Sequence, residues 1–175
     1  ACGLLVFGLV RRTLGQPGTS ERLRGQAPNL AFAAALLWTL HPLTTEAVNY
    51  VTQRTELMMG FFYLGTLYAS VRAWQAHGPG RWHALAIASC AAGMACKESM
   101  VTAPLTVVLY DATFVSGSLK RALNSRWRFY VGLAMSWVLL AALQWSGPRI
   151  HSAGFSSGAS PWLYLLNQTV MITQY

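Results

Sequence analysis

The sequence predicts an all-α protein, a polytopic transmembrane helical bundle of about six to seven spans. Three observations predict it. Only 10% of the residues are charged while 54% are hydrophobic, against about 25% charged in a soluble domain. The apolar residues gather in runs of helical length, parted by Gly/Pro turns and short basic clusters. The Lys and Arg residues fall mostly between those runs, as they do in the cytoplasmic loops of a multi-span protein. The net charge of +8 therefore does not point to nucleic acid, which needs a basic face on a soluble domain.

Ala1 to Val10 reads as the tail of a span, with neither the charged leader nor the small-residue cleavage site of a signal peptide. Arg11 to Arg24 is a basic loop with a Gly15-Gln16-Pro17-Gly18 turn. Pro28 suits the first turn of the next helix, where no amide hydrogen is needed. Asn29 to Leu40 is apolar but short of the roughly 20 residues of a full span. Leu57 to Trp74 is the cleanest span, and Trp74 and Trp82 bracket the Gly78-Pro79-Gly80 turn as interface anchors would.

From Trp82 to Val115 a single helix would be about 50 Å long, too long for a ~30 Å core. Two short helices folded back on each other, with Lys97-Glu98 at the apex, fit instead. Ser116 to Arg128 is a basic loop, Phe129 to Trp145 a further span, and Gly147 to Pro161 a Gly/Ser-rich connection. Trp162 to Tyr175 begins a last span. The expected organisation is one transmembrane domain over residues 1–175, with its first and last spans truncated. Cys2, Cys90 and Cys96 have no metal-ligand spacing and imply no disulfide framework.

If the spans alternate, loops 11–27, 72–83 and 116–128 share one face and hold ten of the thirteen basic residues. That face is cytoplasmic by the positive-inside rule. The other face holds Arg54, Lys97 and Arg149, and three of the five acids: Glu46, Glu56 and Glu98. Acids and bases that could pair thus gather on the non-cytoplasmic face.

Residues 44 to 56, read as a helix, place Thr45, Glu46, Asn49, Gln53 and Glu56 on one stripe. The stripe is either an interfacial connector wetted on its polar side or the lining of a cavity between spans. Lys97-Glu98 is either a salt-bridged hairpin tip or a cation for a phosphate, a role that the compact Lys ammonium suits. His41, beside Pro42, is a helix-end residue with no second His or Cys near it, so no metal is expected. Asp111 reads as a helix-end charge. No phosphate-cradling Gly loop, nucleophile elbow or metalloprotease motif is present.

Four motifs in order, His-Pro-Leu-Thr-Thr-Glu-Ala-Val at 41–48, Gln-Arg-Thr-Glu-Leu at 53–57, Cys-Lys-Glu-Ser-Met-Val-Thr-Ala-Pro at 96–104 and Leu-Tyr-Asp at 109–111, carry a resemblance. Together they resemble the transmembrane and tetratricopeptide-repeat O-mannosyltransferases and their bacterial relatives, of the C-type (GT-C) glycosyltransferases. The similarity runs from about residue 29 to the end. Gln53 stands where animal members often have Gly, a bacterial-type variant.

The resemblance implies a GT-C-like bundle that takes a mannose-type sugar from a polyprenyl-phosphate donor. The acceptor would be a protein or glycan hydroxyl on the non-cytoplasmic face, and no cofactor is implied. The partners implied are membrane lipid, the lipid-linked sugar and the acceptor; the setting is a bacterial inner membrane, or the endoplasmic reticulum membrane in a eukaryote. Lys97, Glu98, Arg54, Glu46, Glu56 and His41 become the candidate substrate- and donor-phosphate-binding residues. The family's catalytic acid lies in the first outer loop and its tetratricopeptide repeats follow the membrane part, so both fall outside 1–175 and no residue here is named as the general base. A transporter or channel segment and a non-catalytic membrane scaffold are the alternatives. A transport path would need charge at the span centres, where the sequence places none.

Overall fold

The computed structural model describes residues 1–41, 54–76, 78 and 80–146. The described elements are all helical: α1 Cys2–Leu14, α2 Glu21–Gly25, α3 Ala27–Leu40, α4 Arg54–Gln75 and α5 Gly80–Cys96. The chain continues with a 3₁₀ turn Glu98–Thr102, α6 Ala103–Tyr110, a π turn Asp111–Val115 and α7 Leu119–Ser146. It forms two compact units, Ala1–Leu140 and Ala141–Tyr175. Of the second unit only the end of α7 is described, and the helix bundle belongs to the first.

Local chemistry accounts for the breaks. Pro28 lies in the first turn of α3 and Pro104 in that of α6, where the missing amide costs nothing. Lys97 is extended (φ −157°, ψ 145°) and stops α5. Gly117 is the one described residue with positive φ, at 67°, a conformation that lets the chain turn into α7 without a Cβ clash.

The helices pack lengthwise. Glu56, in the first turn of α4, meets Lys97 just beyond α5, so α4 and α5 are antiparallel. Many of the buried side chains of the two helices are small, including Ala69, Ser70, Ala73, Ala86 and Cys90, which allows close approach of neighbouring helices. The chain reverses again at the apex, and α6 runs back beside α4. Tyr63 Oη and Thr106 Oγ1 are 2.5 Å apart, and Trp74 stacks on Tyr110 at 6.0 Å. The break and reversal at Lys97-Glu98 are as expected, but the second helix of the pair packs on α4 and not on α5.

Helix α7 runs along α5, from His83 against Phe129 at 4.5 Å to Cys90 Sγ beside Ser136 Oγ at 3.2 Å. Helix α1 lies on α3 and α4, where Arg12 donates to Gln75 at 2.6 Å. The core of this bundle is built from Leu67, Met94, Met100, Val107, Phe129 and Leu133 among others.

Two expectations change. Residues 119–128, read as loop, are the first part of α7, which is kinked at Arg126 (φ −131°, ψ 27°). Trp74 and Trp82 carry cationic partners that the sequence reading did not include: Trp74 lies under Arg126 at 5.5 Å and Trp82 under Arg72 at 4.5 Å.

Among the described residues no helix is long and apolar enough to cross a membrane. Helices α1, α3 and α5 have 13, 14 and 17 residues, about 20–26 Å at 1.5 Å per residue, short of a ~30 Å core. Helix α4 has the length at 22 residues but carries Arg54, Glu56 and Arg72. The first part of α7 holds Lys120, Arg121, Arg126 and Arg128.

Candidate functional site

The bundle has two chemically different ends. Arg54, Glu56, Lys97, Glu98 and His41 occupy one, which we call the apex end. Arg11, Arg12, Arg72, Arg81, Lys120, Arg121 and Arg126 lie toward the other, the basic end.

At the apex end, Lys97 Nζ donates to Glu56 Oε1. The two side chains are 42% and 38% exposed. Lys97 is therefore not paired with its sequence neighbour: Glu98 opens the 3₁₀ turn and is exposed. Extended backbone sends successive side chains to opposite sides, so the φ/ψ of Lys97 turns these two residues apart. Arg54 is exposed at the start of α4, and His41 is exposed at the end of α3. Glu46, with the rest of the 42–53 stretch, lies outside the described residues.

Sequence reasoning missed the hydroxyls that continue this site inward. Tyr63 lies two helical turns from Glu56, on the same face of α4. Its hydroxyl bonds Thr106 Oγ1 at 2.5 Å and accepts from Thr102 Oγ1 at 3.4 Å. The i, i+7 spacing of Glu56 and Tyr63 and the i, i+4 spacing of the two threonines were the available signal. A half-exposed ion pair is worth roughly 0.2–1 kcal/mol, so Lys97 is a cation held in place by an easily displaced carboxylate. A phosphate accepts charge-assisted hydrogen bonds of the same kind from this ammonium.

The burial of Asp111 is the second miss. Asp111 stands at the end of α6, as expected, but is fully buried where the π turn begins. Arg126 Nη1 donates to its Oδ1 at 3.0 Å and its Oδ2 at 2.8 Å. Ser116 Oγ donates to Oδ1 at 2.8 Å, and the Tyr130 hydroxyl donates to Oδ2. The carboxylate accepts from three side chains on two sides, which is what burial of a charge requires. This cluster ties the end of α6 to the kink of α7. Its role is structural, at the end opposite Lys97. Among the described residues no group of three His, Cys, Asp or Glu side chains is placed to hold a metal ion.

A family model described as dolichyl-phosphate-mannose-protein mannosyltransferase matches residues 2–145. Curated relatives carry related names. The chain is 39% identical over 84 residues to Protein O-mannosyl-transferase Tmtc2 of Drosophila melanogaster, covering 45% of this chain and 9% of that protein. It is 34% identical over 103 residues to Protein O-mannosyl-transferase TMTC4 of Homo sapiens, covering 55% and 14%. Over 44 residues it is 46% identical to Protein O-mannosyl-transferase F38B6.6 of Caenorhabditis elegans, covering 25% and 6%. The chain thus matches only a small part of these relatives' length. No solved structure matches it.

Proposed function

Because this chain belongs to the dolichyl-phosphate-mannose-protein mannosyltransferase family, we propose that it is the membrane part of a transferase that moves a mannose-type sugar from a polyprenyl-phosphate donor to a protein hydroxyl outside the cytoplasm. The observation that carries this reading is the Lys97–Glu56 pair at the apex end, away from the basic end. In a substitution at the sugar C1 the leaving group is a phosphate, and a fixed cation beside it lowers the barrier. Lys97 supplies that cation, and Glu56 positions it until the donor arrives. Arg54, Glu98, Glu46 and His41 are further donor- or acceptor-contact residues in this reading. The general base is assigned to none of them.

Membrane embedding is supported by the bundle's sides. Phe32, Leu36, Leu37, Leu105, Leu109, Val131, Met135 and Val138 are large apolar side chains left exposed between the two charged ends. An apolar surface this extensive marks a lipid or protein contact. Short helices are accommodated by local thinning of the bilayer. A transport path is disfavoured, because the buried hydroxyls in mid-helix are used locally. Thr66, Ser70 and Ser136 each donate to a backbone carbonyl of their own helix, at 2.8, 2.7 and 2.6 Å.

The test is donor affinity in the full-length protein. Lys97→Met weakens binding of polyprenyl-phosphate mannose by about tenfold, roughly 1.4 kcal/mol, while Lys97→Arg keeps part of it. Glu56→Gln retains donor binding, since Lys97 keeps its charge, but turnover falls. A well-folded Lys97→Met protein with unchanged donor affinity contradicts the phosphate role.

A further inference from the structure

The stretch before the kink in α7 has no role in the proposed transfer. Residues 119–125 are exposed except for Ala122, which is buried. Leu119 and Leu123, one turn apart, are 50% and 42% exposed. Phe114 before them and Trp127 just past the kink are also exposed. Lys120, Arg121 and Arg128 flank this apolar surface, and no acid occurs anywhere after Asp111. Arg126 is committed to Asp111, whereas Lys120, Arg121 and Arg128 form no ion pair among the described residues.

We infer that residues 119–125 are a membrane-surface helix that lies in the anionic headgroup layer of the leaflet facing the basic end, with Arg128 just past the kink at the same level. Leu119 and Leu123 reach the acyl boundary, and Lys120, Arg121 and Arg128 contact lipid phosphates. Charge complementarity selects the occupant: an exposed apolar pair whose charged sequence neighbours are all cations fits an anionic phospholipid surface. The kink supplies the geometry. Non-helical backbone at Arg126, held by Asp111, which the Tyr130 hydroxyl holds in turn, lets 119–125 leave the direction that α7 takes along α5. The inference rests on the membrane reading, and its test separates the two.

The full chain, with Cys2 and Cys96 replaced by Ser and buried Cys90 retained, is placed in nanodiscs of phosphatidylcholine with or without phosphatidylglycerol. A polarity-sensitive fluorophore is attached at Leu123→Cys, Asn124→Cys or Met135→Cys. With phosphatidylglycerol, the Leu123 label is quenched by shallow bromolipids, the Asn124 label by aqueous iodide and the Met135 label by deep bromolipids. Replacing Lys120 and Arg121 by Gln shifts the Leu123 label toward iodide quenching, by about fivefold per charge removed. Iodide quenching at Leu123 equal to that at Asn124, with Met135 still deep, overturns this inference and leaves the membrane reading standing. So does a Leu123 label as deep as Met135, which describes a straight crossing helix, or one indifferent to phosphatidylglycerol. Iodide access at Met135 overturns the membrane reading, and this inference with it.

Discussion

Two ion pairs of the same elementary chemistry do opposite work here, and burial separates them. Asp111 is fully buried and Arg126 mostly so. Removing one partner strands a charge in a low-dielectric interior, which costs about 3–5 kcal/mol. Arg126→Gln is therefore expected to lower the melting temperature strongly, and Arg126→Lys less so. Lys97 and Glu56 are both substantially exposed, and Lys97→Met is expected to change stability by less than about 1 kcal/mol. Thermal melts of the three variants check this ordering; equal losses would mean that the apex pair is structural. The burial of Asp111 is not legible in the sequence, because its partner stands fifteen positions away across a π turn and a positive-φ Gly117. Lys97 is legible as a charge at an apex, yet its partner is not. Sequence adjacency favours Glu98, and one extended residue redirects the side chain to α4.

At the scale of elements, helix positions are legible wherever an apolar run ends in a turn signal or a proline. Helices α3 and α4 begin and end close to the expected runs, and the fold-back at Lys97 comes from the length limit on a single helix. The start of α7 is not legible, since Lys120, Arg121 and Arg128 read as loop composition although their backbone is helical. The apex depends on close packing. A Cβ at Gly93 would sit 2.7 Å from Sδ of the fully buried Met100, so Met100 must shift to admit it. Gly93→Val is expected to destabilise by about 1–3 kcal/mol. Gly60, within α4, has nothing within 4 Å of an added Cβ. Gly60→Ala is expected to stabilise by about 0.5–1 kcal/mol through helix propensity alone. Denaturation of both variants reads the difference, and a neutral Gly93→Val would remove the tight-apex account.

At the scale of the whole molecule, the proposed transfer depends on the two ends lying on opposite sides of a membrane. The described bundle groups loops 11–27, 72–83 and 116–128 at one end and residues 54–56 and 97–98 at the other, as the alternation expects, while 42–53 and 147–161 lie outside the described residues. The ends of α1 and α4 and the starts of α5 and α7 gather at the basic end, and residues 41, 54 and 97–98 gather at the apex end. Which end faces the cytoplasm is set by charge alone, and transfer from a lipid-linked donor outside the cytoplasm requires the apex end to face away. Sided labelling tests this most directly. Single cysteines at exposed Ser99, at the apex end, and exposed Ser118, at the basic end, are treated in intact cells with a membrane-impermeant maleimide, in a background lacking Cys2 and Cys96. The expected result is labelling of Ser99→Cys in intact cells and of Ser118→Cys only after permeabilisation. Labelling of Ser118→Cys in intact cells with Ser99→Cys protected would contradict it.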